Sequence, residues 1–338
     1  MITAAMFDAK PYDKAGFEKF LDGKDIKLKM FETKLNEDTA ELSHGYDAVV
    51  AFVNDDISRG VIDILCENGV RLIAMRCAGF NNIDVKYALG KIPIVRVPDY
   101  SPYAVAEHAM AMLLTSIRRI HKAYIRTKDF NFSLNGLIGF DFHGKTVGVV
   151  GTGKIGRCFI DICRGFGMNV IAYDPYPAAD SGIEYVSLDE LFRRSNIISL
   201  HCPLTPETNH LVNEETIAKM KTGVVIVNTS RGALIDTDAL LNGIKSKRIG
   251  AACLDVYEEE SDIFFEDYSG HIVQDDTLAR LTTMPNVLIT SHQAFLTEEA
   301  LNNIAETTIN NISSFFEKAT IFSLLYHFSI CCKGFPFP

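Results

Sequence analysis

The sequence predicts an α/β protein of two domains, each a doubly wound parallel sheet flanked by helices. Three observations carry that prediction. From Lys145 to His292, apolar runs of strand length alternate with helical stretches, the order a parallel sheet needs because its strands require crossover helices. A glycine-rich loop, Gly151-Thr152-Gly153-Lys154-Ile155-Gly156, sits where the first of those strands meets the first of those helices. About a hundred residues ahead of the loop show their own strand-helix alternation, and 338 residues exceed one ordinary core.

The elements follow in order. Met1-Ile2-Thr3-Ala4-Ala5-Met6-Phe7-Asp8 has no basic lead-in and reaches an acid early, so it reads as a first strand and not a signal peptide. Ala48–Val53 reads as a strand, Gly60–Asn68 as a helix, and Arg71–Met75 and Ile92–Val97 as short buried strands. Ser101-Pro102-Tyr103 opens a long helix from Ala104 to Lys128, with proline in its first turn as helix starts favour. Its stripe of Ala106, Ala109, Met110, Leu113 and Leu114 is of the kind that forms core or a subunit interface. Thr146–Val150, Ile197–Leu200, Val224–Asn228, Gly250–Asp255 and Val287–Thr290 read as strands of the second sheet. Glu298–Glu317 reads as a final helix that returns to the first domain. The expected domains are 1–100 with 300–338, and 101–299.

Composition narrows the function. With 47% apolar and 22% charged residues the chain has a globular balance, and its net charge of −10 argues against nucleic acid or an anionic membrane as partner. No run approaches the ~20 apolar residues of a spanning helix. The cysteines at 66, 77, 158, 163, 202, 253, 331 and 332 form no CxxC pair. They read as reduced thiols of a cytoplasmic protein, with no metal site expected.

The glycine loop is the strongest local signal. It follows Thr146–Val150, leads into a helix at Arg157–Arg164, and is followed eighteen residues after Gly156 by Asp174, which closes the run Asn169–Tyr173. Strand, tight turn, helix, strand and acid is the order that binds a dinucleotide. Gly151 permits the turn, Gly153 lets backbone approach a pyrophosphate, and Gly156 lets helix and strand pack closely. The amides of Lys154 and Ile155 are expected to face the phosphates at the helix N-terminus. Asp174 accepts from the ribose hydroxyls and repels a 2′-phosphate, which favours NAD over NADP.

Four polar clusters then follow four predicted strands: His201-Cys202-Pro203-Leu204-Thr205, Asn228-Thr229-Ser230-Arg231-Gly232, Leu254-Asp255-Val256-Tyr257-Glu258-Glu259-Glu260 and Ser291-His292-Gln293-Ala294-Phe295. Ligands of open α/β sheets bind at the carboxyl ends of strands, so the clusters converge on one cleft. Taken singly, a strand-end arginine is most often a salt-bridge residue, a lone histidine structural, and Glu260 part of a solvated acidic run.

Here the sequence resembles the D-2-hydroxyacid dehydrogenases, and within them the fermentative members that form D-lactate. The resemblance runs to about Glu317 and is dense in Arg76–Asp84, Val97–Pro102, Phe264–Asp267 and Asn286–Thr297. It implies two Rossmann- or flavodoxin-like domains closing by hinges near Tyr100 and Phe295–Glu299. It places Arg231, Glu260 and His292 at catalytic positions, with Glu259 the fallback for Glu260. A guanidinium fork can grip the carboxylate of a 2-oxo acid and polarise its carbonyl. An imidazole can protonate the oxygen that gains charge as hydride reaches C2, and a carboxylate beside it favours the protonated form.

The resemblance also implies that the backbone at Ala78 and Gly79 meets the substrate carboxylate, while Phe52, Tyr100 and Phe295 wall the C3 side chain tightly enough to suit pyruvate. For NAD it implies Cys202, Pro203 and Thr208 on the adenosine side, Thr229 and Ser230 at the nicotinamide end, and Asp255 on the carboxamide. His108, His121 and His143 belong to no motif and read as structural. The expected protein is a homodimer through the helix near 104–128, or a tetramer. The alternatives are an enzyme for another acid, of hydroxyisocaproate, glyoxylate or phosphoglycerate type, and a non-catalytic NADH-sensing protein of corepressor type. The stretch 319–338 departs from the family, being apolar and cysteine-bearing up to Lys333.

Overall fold

Short β-branched and alanine-rich runs bounded by turns form the strands, and amphipathic stretches between them form the crossovers. A computed structural model describes residues 1–260 and 263–318; the atypical stretch 319–338, with Cys331 and Cys332, lies outside the described residues. The chain divides into two compact units, one of Met1–Ser101 with the segment from Leu296 onward, the other Pro102–Phe295.

The first unit contains β1 (Ile2–Met6), α1 (Pro11–Leu21), β2 (Ile26–Met30), β3 (Ala48–Ala51), α2 (Arg59–Glu67), β4 (Leu72–Met75), α3 (Val85–Ala88) and β5 (Ile94–Arg96). Its five strands are all parallel, in the order β2-β1-β3-β4-β5, the flavodoxin-like arrangement. β3 and β4 are buried along their whole length, as strands covered on both faces must be.

The second unit begins with α4 (Pro102–Ile117) and α5 (Ile120–Lys128). It continues through β6 (Thr146–Val150), α6 (Lys154–Gly165), β7 (Asn169–Tyr173), β8 (Glu184–Tyr185), α7 (Leu188–Arg194) and β9 (Ile197–Leu200). Then come α8 (Glu214–Lys219), β10 (Val224–Asn228), α9 (Thr237–Lys245), β11 (Ile249–Leu254), α10 (Asp276–Thr283) and β12 (Val287–Ile289). The seven strands run parallel in the order β12-β11-β10-β9-β6-β7-β8. From β6 the chain winds through β7 and β8 to one edge, then returns through β9 to β12 on the other side. The order therefore reverses between β6 and β9, where an open sheet leaves a crevice at its carboxyl end.

The last helix, α11 (Glu298–Lys318), belongs to the first unit. Ala305, Ile309 and Ile312 share a buried cluster with Ala4, Met6, Val50 and Leu72 of that sheet. The C-terminal helix thus completes the first core, as expected.

One element differs from its expectation. The helix predicted over 104–128 is two helices, because Arg119 adopts a left-handed backbone with φ of 54°. The break turns Arg119 and Lys122 onto one acceptor, the Pro285 carbonyl, to which both donate. Nothing in Ser116-Ile117-Arg118-Arg119-Ile120 signals a break, since it holds no glycine or proline. In α4 the stripe behaves as core: Ala106, Ala109, Met110 and Leu113 pack with Val147, Val149 and Phe159.

Candidate active site

The glycine loop lies at the switch point. Gly151 has φ of 93°, and a Cβ there would lie 2.6 Å from the His201 carbonyl oxygen at the end of β9. A Cβ on Gly156 would meet the Gly151 carbonyl oxygen at 2.1 Å, so only glycine lets α6 approach the turn. At Gly153 nothing lies within 4 Å, which leaves the backbone open to a ligand, and no side chain caps α6. Thr229, only 8% exposed, has a hydroxyl with no hydrogen-bond partner among the described residues. An open loop at a helix N-terminus and an orphaned buried hydroxyl at a strand end fit a dinucleotide.

Asp174 follows β7 and accepts from the Thr152 amide at 2.7 Å, the Thr152 hydroxyl at 2.9 Å and the Tyr176 amide at 2.9 Å. Burial would raise its carboxyl, but these donors outweigh burial and hold it below the ordinary carboxylate range. His201 is not a proton-transfer candidate: burial pushes its imidazole down to about 4, and Nε2 lies 2.8 Å from the Ser199 hydroxyl. Cys202 follows it with a thiol pushed up to about 11 by burial, which makes it inert. Pro203 is exposed, and its carbonyl accepts from the Thr208 hydroxyl at 2.7 Å.

After β10 the chain makes a tight polar turn. Asn228 donates to the Arg231 carbonyl at 2.8 Å and accepts from the Ser230 amide at 3.0 Å, while the Ser230 hydroxyl donates to the Leu200 carbonyl. The Arg231 guanidinium donates through Nη1 to the Ser230 carbonyl at 2.6 Å and is half-buried. A Cβ on Gly232 would lie 2.0 Å from the Tyr257 carbonyl carbon. That close approach seats the Arg231 turn against the segment leading to Glu260.

Glu260 and His292 form the central pair. His292 Nδ1 is 2.8 Å from Glu260 Oε1, and both side chains are 16% exposed. The other carboxylate oxygen of Glu260 accepts from the Tyr257 amide at 2.9 Å, which fixes its rotamer. Within the acidic triplet, Glu258 turns instead to His210 and Thr237. His292 itself has a left-handed φ of 52°, its amide donates to the Asp255 carbonyl at 2.7 Å, and its ring lies against Phe265.

Asp255 has no exposed surface, and its carboxylate accepts from the Thr290 hydroxyl and from the amides of Gln293 and Ala294. His108 Nε2 of α4 stands 3.3 Å from the same carboxylate and 3.2 Å from the Thr290 hydroxyl. Burial would raise Asp255, but the hydrogen bonds from His108 and Thr290 prevail and hold it low. The turn that carries His292 is therefore gripped on both sides of the histidine. Sequence reasoning missed His108 and Thr290. Their partner lies more than a hundred residues from His108, and no spacing rule reaches that far.

The remaining expected residues are placed as follows. Phe295 is 8% exposed in the second unit. Phe52, Ala78, Gly79 and Tyr100 belong to the first unit, at or beyond the carboxyl ends of β3, β4 and β5. Phe52 is 3% exposed with its ring 4.1 Å from the Arg76 guanidinium carbon, and its amide donates to Asp55. The Ala78 carbonyl accepts from Arg96, and the Tyr100 carbonyl accepts from Asn303 of α11. No cluster of metal-ligating side chains occurs among the described residues, and none of their helices is long and apolar enough to cross a membrane.

A doubly wound domain with a dinucleotide loop and a strand-end His-Glu pair defines an NAD-dependent oxidoreductase. The comparisons with known proteins specify it. Residues 110–294 match the family model of the D-isomer specific 2-hydroxyacid dehydrogenase, NAD binding domain. The chain is 53% identical over 315 residues to D-lactate dehydrogenase of Escherichia coli strain K12, covering 92% of this chain and 95% of that one. The apo-structure of that Escherichia coli enzyme superposes with a TM-score of 0.88 at 48% identity, covering 96% of this chain and all of the other (100%). A structure described as the pyruvate reductase of Chlamydomonas reinhardtii gives 0.90 at 44% identity, covering 96% and 98%. The chain belongs to the D-isomer-specific 2-hydroxyacid dehydrogenase family, and its cofactor is NAD.

Proposed function

We propose that the protein is a D-lactate dehydrogenase that reduces pyruvate to D-lactate. The observation that carries this reading is the 2.8 Å pair of His292 and Glu260 on a turn locked by Asp255, beside the turn that presents Arg231. NADH, when bound, supplies a hydride. Arg231 grips the substrate carboxylate and polarises the carbonyl, a task for a planar fork. Glu260 holds Nδ1 of His292 and stabilises the imidazolium, so Nε2 is left to donate a proton to the carbonyl oxygen. In the oxidative direction the same nitrogen takes the proton from the hydroxyl.

In this reading the unit of 102–295 holds the cofactor through Gly151, Gly153, Lys154, Ile155, Gly156 and Asp174, with Cys202, Pro203 and Thr208 toward adenosine and Thr229 and Ser230 toward nicotinamide. Asp255 acts chiefly through the His292 turn, the role its buried hydrogen bonds support more directly than a carboxamide contact. Ala78 and Gly79 are assigned to the substrate carboxylate, and Tyr100 and Phe295 to the C3 side. The six free cysteines among the described residues suit a reducing, cytoplasmic setting. We also assign a homodimer. The test of the activity is NADH oxidation with pyruvate, 2-oxobutyrate, 2-oxoisocaproate, glyoxylate and hydroxypyruvate, followed by chiral analysis of the product. The expected result is highest kcat/KM for pyruvate and D-lactate as product. A preference for the branched acid would replace the lactate reading with a hydroxyisocaproate one.

A further inference from the structure

Asp174 is held far more tightly than a surface carboxylate needs to be. Its Oδ2 accepts both the amide and the hydroxyl of Thr152, at 2.7 and 2.9 Å, and its Oδ1 accepts the Tyr176 amide at 2.9 Å. A carboxylate offers roughly four lone-pair directions, so about one is left on Oδ1 for a ligand hydroxyl. The Thr152 hydroxyl, with its proton directed at Asp174, has lone pairs of its own, and the Tyr185 hydroxyl lies 3.0 Å away. The Tyr185 oxygen in turn accepts from the Ala178 amide at 3.4 Å. The directions are consistent along the chain: Ala178 N–H to Tyr185 O–H to Thr152 O–H to Asp174. Thr152 is 3% exposed, so its hydroxyl has almost no competing water. Tyr185 is fixed by the short strand β8, whose Tyr185 pairs with Ala172 two residues before Asp174.

We propose that Thr152 and Tyr185 form a hydrogen-bond relay that fixes the Asp174 carboxylate and thereby sets the preference for NAD over NADP. The inference rests on the reading of Asp174 as the residue that meets the ribose. A carboxylate penalises a 2′-phosphate only if it cannot turn away, because like-charge repulsion is relieved by a side-chain rotation. The relay removes that freedom. A cation also stands ready: Arg157 donates through Nε to the Thr152 carbonyl at 2.9 Å, and its charge acts on Asp174. With the relay cut, the carboxylate can swing aside and Arg157 can partner the phosphate instead. Thr152 and Tyr185 are thus positioning residues for cofactor choice. Thr152 occupies a variable position of the glycine motif, and Tyr185 lies outside it.

The test measures Kd for NADH and for NADPH by nicotinamide fluorescence. The variants are Thr152→Val, Thr152→Ser, Tyr185→Phe and Asp174→Ala, with thermal unfolding confirming that each folds. Losing a hydrogen bond to a charged group changes a binding ratio by roughly tenfold. Thr152→Val should therefore lower the NADH preference by about that factor, and Tyr185→Phe by roughly threefold because it acts one bond further away. Thr152→Ser should keep the preference, since it retains the hydroxyl. If Asp174→Ala collapses the preference while Thr152→Val and Tyr185→Phe weaken both cofactors equally or neither, the relay is wrong and the Asp174 reading stands. If Asp174→Ala leaves the preference unchanged, the ribose reading fails and takes the relay with it.

Discussion

His292 occupies a left-handed backbone that costs a non-glycine residue roughly 1–3 kcal/mol, and the hydrogen bonds that converge on Asp255 hold it there. That strain, with the ring paired to Glu260, supports the proposed role of His292 in proton transfer. His292→Ala should lower turnover by about 10²–10⁴-fold while NADH affinity stays near wild type. Stopped-flow hydride transfer and NADH titration measure the two separately, and near-normal turnover would remove the histidine from the mechanism. Arg231→Lys keeps the charge but loses the fork, so KM for pyruvate should rise and kcat should fall together. A change confined to NADH affinity would reassign Arg231 to the cofactor. Phe52 is different. Its ring is packed on Arg76 and nearly buried, so Phe52→Ala should cost about 3–5 kcal/mol of stability, read by urea unfolding. If stability holds and the preference among 2-oxo acids shifts instead, Phe52 is a pocket wall.

At the scale of elements, the site depends on three turns after β10, β11 and β12 being brought close. Strand boundaries and the strand-end clusters were legible because parallel strands buried on both faces read as short continuous apolar runs. Asn228–Gly232, Asp255–Glu260 and Ser291–Phe295 were therefore readable as neighbours. What joined them was not. His108 and Thr290 reach Asp255 across distances that no local pattern encodes, and the left-handed Arg119 that divides α4 from α5 lies in a run of good helix formers. Gly232 is the clearest of these hidden joints, since its backbone touches the Tyr257 carbonyl. Gly232→Ala should push the Arg231 turn off the Tyr257–Glu260 segment. Pyruvate turnover should then fall by at least about tenfold, more than NADH binding falls, because a small misplacement of a catalytic group costs up to 10²-fold. Equal losses in both would show that the contact supports the unit as a whole and not the catalytic turn.

For the whole molecule, the second unit carries an uncommon amount of exposed apolar surface on one stretch of chain. Helix α5 buries none of its residues, and Ile120, Tyr124 and Ile125 are 53–60% exposed; Phe130, Phe132, Leu134 and Ile138 are 70–90% exposed. Monomeric soluble proteins seldom leave such a run uncovered. A chain of net charge −10 also gains nothing from exposing it, since its solubility rests on polar surface. In the proposed homodimer a second copy of the same chain would cover it, since an isologous contact places the same patch on both subunits. The stretch expected to carry the interface, the helix near 104–128, includes these residues: the small-residue stripe of α4 is core, and the large apolar residues after the Arg119 break are the ones left outside. Tyr124→Asp combined with Ile125→Asp places two charges on a largely exposed face, so each subunit should keep its fold while the dimer is lost. Sedimentation velocity at micromolar protein should show a dimer for the wild type and a monomer for the variant, with circular dichroism unchanged. A stable interface takes about 800 Å² from each partner, so two buried charges should suffice to disrupt it. A wild type that sediments as a monomer, or a variant that remains a dimer, would move the interface elsewhere and leave this apolar stretch to another partner.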